Sequence, residues 1–270
     1  MMNLPETETL LLKQKGHTLH ITLNRPKVRN AMSLIMVNEL MAVFESISSD
    51  LSIRAIVLRG AEGNFCAGGD IKDMAGARAA LSKKEGSDPF YKLNRAFGRM
   101  ITYANQIPQV LVVVTEGAVL GGGFGLACIS DVALSLNSTK FGLPETGLGI
   151  PPAQIAPFVV TRIGLTQARR LALLGARFDG AEALRLGIVH ESHETIDALE
   201  EALDKVLLQV KRCAPQVNRL TKQLILSVGK EPLEDLLDGA AKSFSEAVQG
   251  AEGQEGTMAF IQKRDPSWFK

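Results

Sequence analysis

Apolar positions recur along this chain with two periods, and the period switches several times. Residues 9–13 and 17–23 are short β-like runs separated by Lys15-Gly16, a turn signal. Asn24-Arg25-Pro26 ends the second run, because proline cannot extend a ladder and restricts the residue before it. The spacing then becomes helical: Leu34, Val37, Leu40, Met41, Phe44 and Ile47 share one face, with Ser33 placed to cap a helix through Ser49. Ala55–Gly60 opens with four consecutive apolar residues and predicts a strand covered on both faces. Residues 64–71 form a loop with two adjacent glycines, and residues 72–89 mix Ala, Gly, Lys and Ser without a period, which reads as mobile chain.

The pattern then repeats. A helix through Phe97, Met100, Ile101 and Ala104 ends before Pro108, and a buried strand follows at Val110–Thr115. After it come a glycine-rich turn (121–123), an apolar helix (124–130) and another strand (132–135). Beyond Pro144-Glu145, glycines and prolines at 147–152 lead into helices from about Gln154. From Asp197 onward the chain is mostly helical and more charged, with apolar positions suited to packing on the core or on another subunit. Strand–helix alternation followed by helices predicts an α/β core over 1–196 and a C-terminal helical region over 197–270.

Composition narrows the function classes. At 270 residues with 46% hydrophobic and 22% charged residues, the chain can bury a sizeable core and is neither disordered nor collagen-like. Thirty Lys plus Arg against 29 Asp plus Glu leave a net charge of +1, which argues against a dedicated nucleic-acid binder. Cys66, Cys128 and Cys213 show no paired spacing and fit reduced thiols in a cytoplasmic setting. The first residues carry acids where a signal peptide needs positive charge. The longest apolar stretch, 110–134, is broken by Glu116, glycines and Asp131, so no membrane span is expected.

Several chemistries lack their anchors. There is no G-x-S-x-G elbow and no G-x-x-x-x-G-K-[ST] loop. Gly121-Gly122-Gly123-Phe124-Gly125 fails the dinucleotide pattern at Leu126, where the third glycine would fall. His190-Glu191-Ser192-His193 is one residue too short for H-E-x-x-H and reads as a solvated turn, so no metal site is expected.

What remains is a design used twice, a buried strand running into glycines at the start of a helix. Such a turn presents backbone N–H groups to an anion, and glycine allows close approach. Two such loops could aim two donors at one developing oxyanion, although either loop alone reads better as tight strand–helix packing. The wider pattern extends this: Leu23-Asn24-Arg25-Pro26 with Asn30-Ala31, then 65–71 (Phe-Cys-Ala-Gly-Gly-Asp-Ile), then 117–131, then 141–145 (Phe-Gly-Leu-Pro-Glu), then 259–264. In order and spacing, over essentially the whole chain, these resemble the enoyl-CoA hydratase/isomerase (crotonase) superfamily.

The resemblance implies a spiral of ββα units with a C-terminal helical region, assembled as a homotrimer or hexamer. It implies an acyl-CoA substrate, so that coenzyme A enters as part of the substrate and no separate cofactor is needed. Position by position, Gly69 and Gly122 match the two backbone donors that hold the thioester oxygen as it becomes an enolate. Ala67, Gly68, Asp70 and Ile71 match the loop against the adenine and pantetheine, and Phe260 and Lys263 match C-terminal positions that can contact CoA. Glu145 matches the acid of the Pro-Glu motif. The other glutamate of many family hydratases would fall at 125, where this chain has Gly125.

A single carboxylate leaves two enzyme readings. One is a Δ3,Δ2-enoyl-CoA isomerase, in which one acid moves a proton. The other is a hydratase of a branched substrate, with Gly125 making room near C3. Residues 121–131 and 149–157 most resemble the isohexenylglutaconyl-CoA hydratase branch of acyclic terpene breakdown, related to 3-methylglutaconyl-CoA hydratases. The distal carboxylate of such a substrate wants a cation, and Lys72, Arg95 and Arg99 flank the expected pocket. A binding protein with decayed chemistry is the third possibility, disfavoured by neutral charge and the retained Glu145.

Overall fold

The computed structural model describes residues 4–82 and 88–269. β1 (Leu10–Lys15) and β2 (Thr18–Leu23) form an antiparallel hairpin that turns at Gly16, whose φ of +54° suits glycine. α1 (Leu34–Ile47) crosses over to β3 (Ala55–Gly60), which runs parallel to β2. The Ser33 hydroxyl accepts from the Met36 N–H at 3.2 Å, the expected cap.

The connection from β3 to β4 (Val110–Thr115) carries α2 (Ile71–Ser82) and α3 (Pro89–Gln106). Here the expectation of mobile chain over 72–89 is corrected for residues 72–82, which continue the helix that begins at Ile71; residues 83–87 lie outside the described residues. Alanine content supports α2 without an apolar stripe, since Ile71, Met74 and Leu81 are all exposed.

β5 (Ala118–Leu120) then leads into α4 (Gly122–Ile129), β6 (Val132–Leu136), β7 (Lys140–Gly142) and α5 (Ala156–Leu173). The unit of two strands and a helix thus appears as β1-β2-α1, β4-β5-α4 and β6-β7-α5. β8 (Arg177–Asp179), α6 (Gly180–Arg185) and β9 (Glu191–His193) complete the strand-bearing part. One sheet has the order β1-β2-β3-β4-β6-β9, parallel from β2 onward; the other has the order β5-β7-β8.

Both faces of the large sheet are covered at β3, β4 and β6, which explains their apolar runs. On one face Ile56, Leu58, Leu111 and Val113 pack with α1, α3 and α4. On the other, Val57, Val112, Val114 and Leu134 meet Leu199, Ala202, Leu203 and Val206 of α7 (Ile196–Arg212). The small sheet is fastened to α4 by rings: Phe124 meets Phe141 edge-on at 6.3 Å, and Phe141 stacks on Phe178 at 5.9 Å.

The C-terminal region continues as α8 (Pro215–Ser227), α9 (Leu233–Gln249) and α10 (Ala251–Ile261). Lys222 of α8 joins it to the core through Asp131 at 2.6 Å. Its outer apolar residues, among them Val228, Phe244 and Ile261, stay exposed. His190 is tied into the sheet rather than free in a turn, because its Nδ1 accepts from the Ala133 N–H at 2.9 Å.

Candidate active site

The two glycine loops lie side by side. The Cys66 N–H donates to the Ala118 carbonyl at 2.8 Å, and the Leu120 N–H donates back to the Cys66 carbonyl at 2.9 Å. On its other edge the first loop is held by Met32, whose N–H donates to Gly68 O at 2.8 Å and whose carbonyl accepts from the Asp70 N–H at 3.1 Å. The Ala67 N–H donates to Arg29 O. The loop is therefore fixed on both edges, while the Gly69 N–H has no partner among the described residues. The Gly122 N–H opens α4, where the first amides of a helix have no intrahelical acceptor.

Glycine is required where the loops meet. Gly68 has φ +97° and Gly121 has φ +52°. A Cβ on Gly121 would stand 2.9 Å from Glu145 Oε1 and 3.6 Å from the Gly68 Cα. Gly68, Gly121 and Glu145 consequently share one small space. β7 sets this register: it pairs with β5, its Gly142 carbonyl accepts from the Gly121 N–H at 3.2 Å, and a 3-10 turn starts at Glu145.

Glu145 Oε2 is buried without a hydrogen-bond partner, and no Lys or Arg pairs with this carboxyl among the described residues. Burial raises its pKa above the usual glutamate value, opposed only by its own backbone N–H. A buried carboxyl with a raised pKa and no counter-ion is a candidate for proton transfer.

Asp70 is the opposite case. Arg25 Nη2 lies 2.5 Å from it, and the Lys72 N–H donates to it at 2.7 Å. Burial pushes its pKa upward, but the Lys72 N–H and the Arg25 guanidinium outweigh that and hold it below the ordinary value. Arg25 also donates to Ala31 O, and Asn30, fully buried, donates to Ala61 O and Asn64 O. The Arg25 and Asn30 of the sequence motif thus brace the loop that carries Gly69. The Cys66 thiol beside it is pushed up to about 11 by burial and packs as a small apolar group.

The wall opposite the loops comes from α3 and from the segment before α5. Phe97 ring atoms stand 3.3 Å from where a Cβ on Gly122 would be, with Met32 Sδ at 4.0 Å. At Gly125 the expectation of open room near the substrate is corrected. Ile155 Cγ2 occupies the place a Cβ would take, and Ile101 Cδ1 lies 3.0 Å from it. A glutamate side chain has no space at that position unless Ile155 and Ile101 move.

Gly68, Gly69, Gly121, Gly122 and Glu145 are thus brought together, with Asp70 beside them as a brace. Ile71 follows at the start of α2 with 80% of its surface exposed. Phe260 and Lys263 lie at the end of α10, which packs on α9; Phe260 is 85% exposed, and no hydrogen bond or ion pair among the described residues joins either to the loops. Met32, Phe97, Gly121 and Ile155 were not among the site residues expected from the sequence. Of these, Gly121 carried a usable signal, as the first residue of the predicted glycine-rich turn. No group of three or more metal-ligating side chains occurs among the described residues, and no described helix is long and apolar enough to cross a membrane.

Comparison with known proteins agrees with this geometry. The enoyl-CoA hydratase/isomerase family matches residues 13–270. The short-chain-enoyl-CoA hydratase of Clostridium acetobutylicum is 28% identical over 270 residues, covering 98% of this chain and 99% of its own length. Among solved structures, Pseudomonas aeruginosa AtuE superposes with a TM-score of 0.94 at 62% identity, covering 97% of this chain and all of its own. An enoyl-CoA hydratase/isomerase from Marinobacter aquaeolei does so at 0.94 and 60%, covering 97% and 99%.

Proposed function

This chain belongs to the enoyl-CoA hydratase/isomerase family, and from that premise we propose that it hydrates the 2,3 double bond of a 3-branched glutaconyl-CoA thioester. Action on acyl-CoA thioesters of the enoyl class follows from membership; the branched, carboxylated acyl chain is our reading. Its specific form is isohexenylglutaconyl-CoA going to the 3-hydroxy-3-isohexenylglutaryl thioester in acyclic terpene breakdown, with 3-methylglutaconyl-CoA as the nearest alternative.

In this mechanism the thioester oxygen accepts from the Gly69 and Gly122 N–H groups. Glu145 takes a proton from water as the water oxygen bonds to C3, and the π electrons move onto the thioester oxygen. The resulting enolate collapses by taking that proton from Glu145 at C2, giving a tertiary alcohol and regenerating the carboxylate. The two donors act on charge that exists only after attack, and each such donor is worth about 10²–10³ in rate. The observation that carries the proposal is the unpartnered, buried Glu145 Oε2 beside the two glycine loops.

The experiment is a substrate panel of linear enoyl, 3-methylglutaconyl and isohexenylglutaconyl thioesters, followed by loss of conjugated-thioester absorbance. The branched glutaconyl thioesters are expected to be preferred, and a preference for linear chains would overturn the substrate assignment.

The closed Gly125 position favours one other reading. With no second carboxylate there, Glu145 alone could move a proton between C4 and C2 of a 3-enoyl thioester. Isotopically labelled water distinguishes the two, since only hydration places its oxygen in the product. The exposed apolar residues of α8 to α10 support a homotrimer or hexamer in which Phe260 and Lys263 serve CoA across a subunit boundary. Light scattering checks the assembly; a monomer would refute it.

A further inference from the structure

We propose that Arg95, held in place by Gln154, is a specificity-determining residue that binds the distal carboxylate of the acyl chain; this rests on the glutaconyl reading above. Three cations stand near the site on the sequence, but the structure treats them differently. Lys72 and Arg99 are exposed, and their side chains make no hydrogen bond among the described residues. Arg95 is half-buried, and its Nη1 donates to Gln154 Oε1 at 2.7 Å.

Gln154 is itself committed at both ends, because its Nε2 donates to Asn94 Oδ1 at 2.7 Å. Its carbonyl therefore faces Arg95, and the guanidinium is held by one nitrogen. The absence of a side chain at Gly98 makes this possible: Gln154 Oε1 sits where a Cβ would be, with Arg95 Nη1 2.6 Å from the same point. The remaining guanidinium donors have no partner, and no carboxylate pairs with Arg95 among the described residues. An arginine offers five donors in a fork that matches a carboxylate, so a positioned fork with free donors and no internal counter-ion is a site for an acid.

Its place in the fold links it to the chemistry. Gln154 is followed by Ile155, which fills the space at Gly125, and Gly98 follows Phe97, which stands over Gly122. The Arg95–Gln154 pair thus lies against Gly98, one residue along each element from the side chains that close over Gly122 and Gly125. An acyl chain whose thioester oxygen lies at Gly69 and Gly122 would run along those side chains, bringing a terminal carboxylate toward Arg95.

Binding of unreactive saturated thioesters tests this without relying on turnover. Glutaryl-CoA carries the distal carboxylate and pentanoyl-CoA does not; both are titrated by calorimetry into the wild-type protein and into Arg95→Gln, Arg95→Lys and Gln154→Ala. The wild type is expected to prefer glutaryl-CoA, and Arg95→Gln to lower the glutaryl-to-pentanoyl affinity ratio by about 10–100-fold. Arg95→Lys should recover part of the ratio, and Gln154→Ala should lower it less than Arg95→Gln does. Equal loss of both ligands in Arg95→Gln would show a structural clamp only and overturn the proposal. A wild-type preference that survives Arg95→Gln would remove Arg95 but leave the glutaconyl reading standing. No wild-type preference at all would overturn both.

Discussion

Asp70 follows Gly68 on the first glycine loop and Glu145 opens the turn after β7 that reaches Gly121, yet the surrounding chain shifts their pKa values in opposite directions. Around Asp70 the frame supplies a guanidinium 2.5 Å away and a backbone N–H, so the charged form is favoured although the group is only 6% exposed. Around Glu145 it supplies burial and no cation, leaving one oxygen without a partner. A buried polar atom left unpaired costs about 1–3 kcal/mol. The charge that braces the loop is compensated from within the chain. The charge that faces the glycines is left for something else to satisfy, as expected where a proton must move.

The largest effect should come from Glu145→Gln. Gln keeps the shape but cannot exchange the proton, so kcat is expected to fall by about 10²–10⁴ while thioester binding persists. Absorbance kinetics at the enoyl thioester checks this, and undiminished turnover would remove Glu145 from the chemistry. Next comes Asp70→Ala, which strands the Arg25 guanidinium. Because Arg25 is partly solvated, a loss of about 2–3 kcal/mol in urea unfolding is expected, at the low end for a broken buried pair. The acid limb should change too. Asp70 has a depressed folded pKa, so its contribution is present above its ordinary value of 3.8 and is lost as pH falls through the lower folded value. The variant should lack that part of the wild-type acid dependence; an unchanged acid limb would mean the pair contributes nothing.

How much of this was legible in the sequence follows the same division. Strands covered on both faces, such as Ala55–Gly60 and Val110–Thr115, announced themselves as apolar runs, and Ser33 marked its helix start. α2 did not, because an alanine-rich helix with exposed Ile71 and Met74 has no stripe to read. β5, β7 and β8 span three residues each, too few to establish a period, although β7 sets the position of Glu145. The glycine pairs pointed to the loops, and the family resemblance pointed to which amides matter. The sequence could not reveal what moves into a space that a missing side chain leaves. Ile155 lies thirty residues beyond Gly125, and only the folded wall shows that it closes the gap.

That closure gives the next prediction. Gly125→Ala would drive a methyl into Ile155 and Ile101, and overpacking of this kind costs about 1–3 kcal/mol. Gly147→Ala, with nothing within 4 Å of the added carbon, is the matched control and should stay within about 0.5 kcal/mol of wild type. Thermal unfolding of the pair measures the difference. Equal stability would mean that Ile155 and Ile101 yield freely and that the position is not closed.

The smallest effect is the most specific to the comparison, because its sign opposes that of Asp70. Glu145 has a folded pKa raised above its ordinary value of 4.5, so its favourable contribution is fully present below that value and is lost as pH rises through the folded pKa. A neutral isostere that does not ionise escapes this loss and so gains on the wild type as pH rises above 4.5. Glu145→Gln removes the charge without removing the packing. It should unfold slightly later than wild type at pH 7, by a few tenths of a kcal/mol since the group is part-solvated and screened, and the gain should vanish near pH 4. A variant less stable than wild type at pH 7 would mean that a cation or donor satisfies the Glu145 carboxylate, and the contrast with Asp70 would fail at its root.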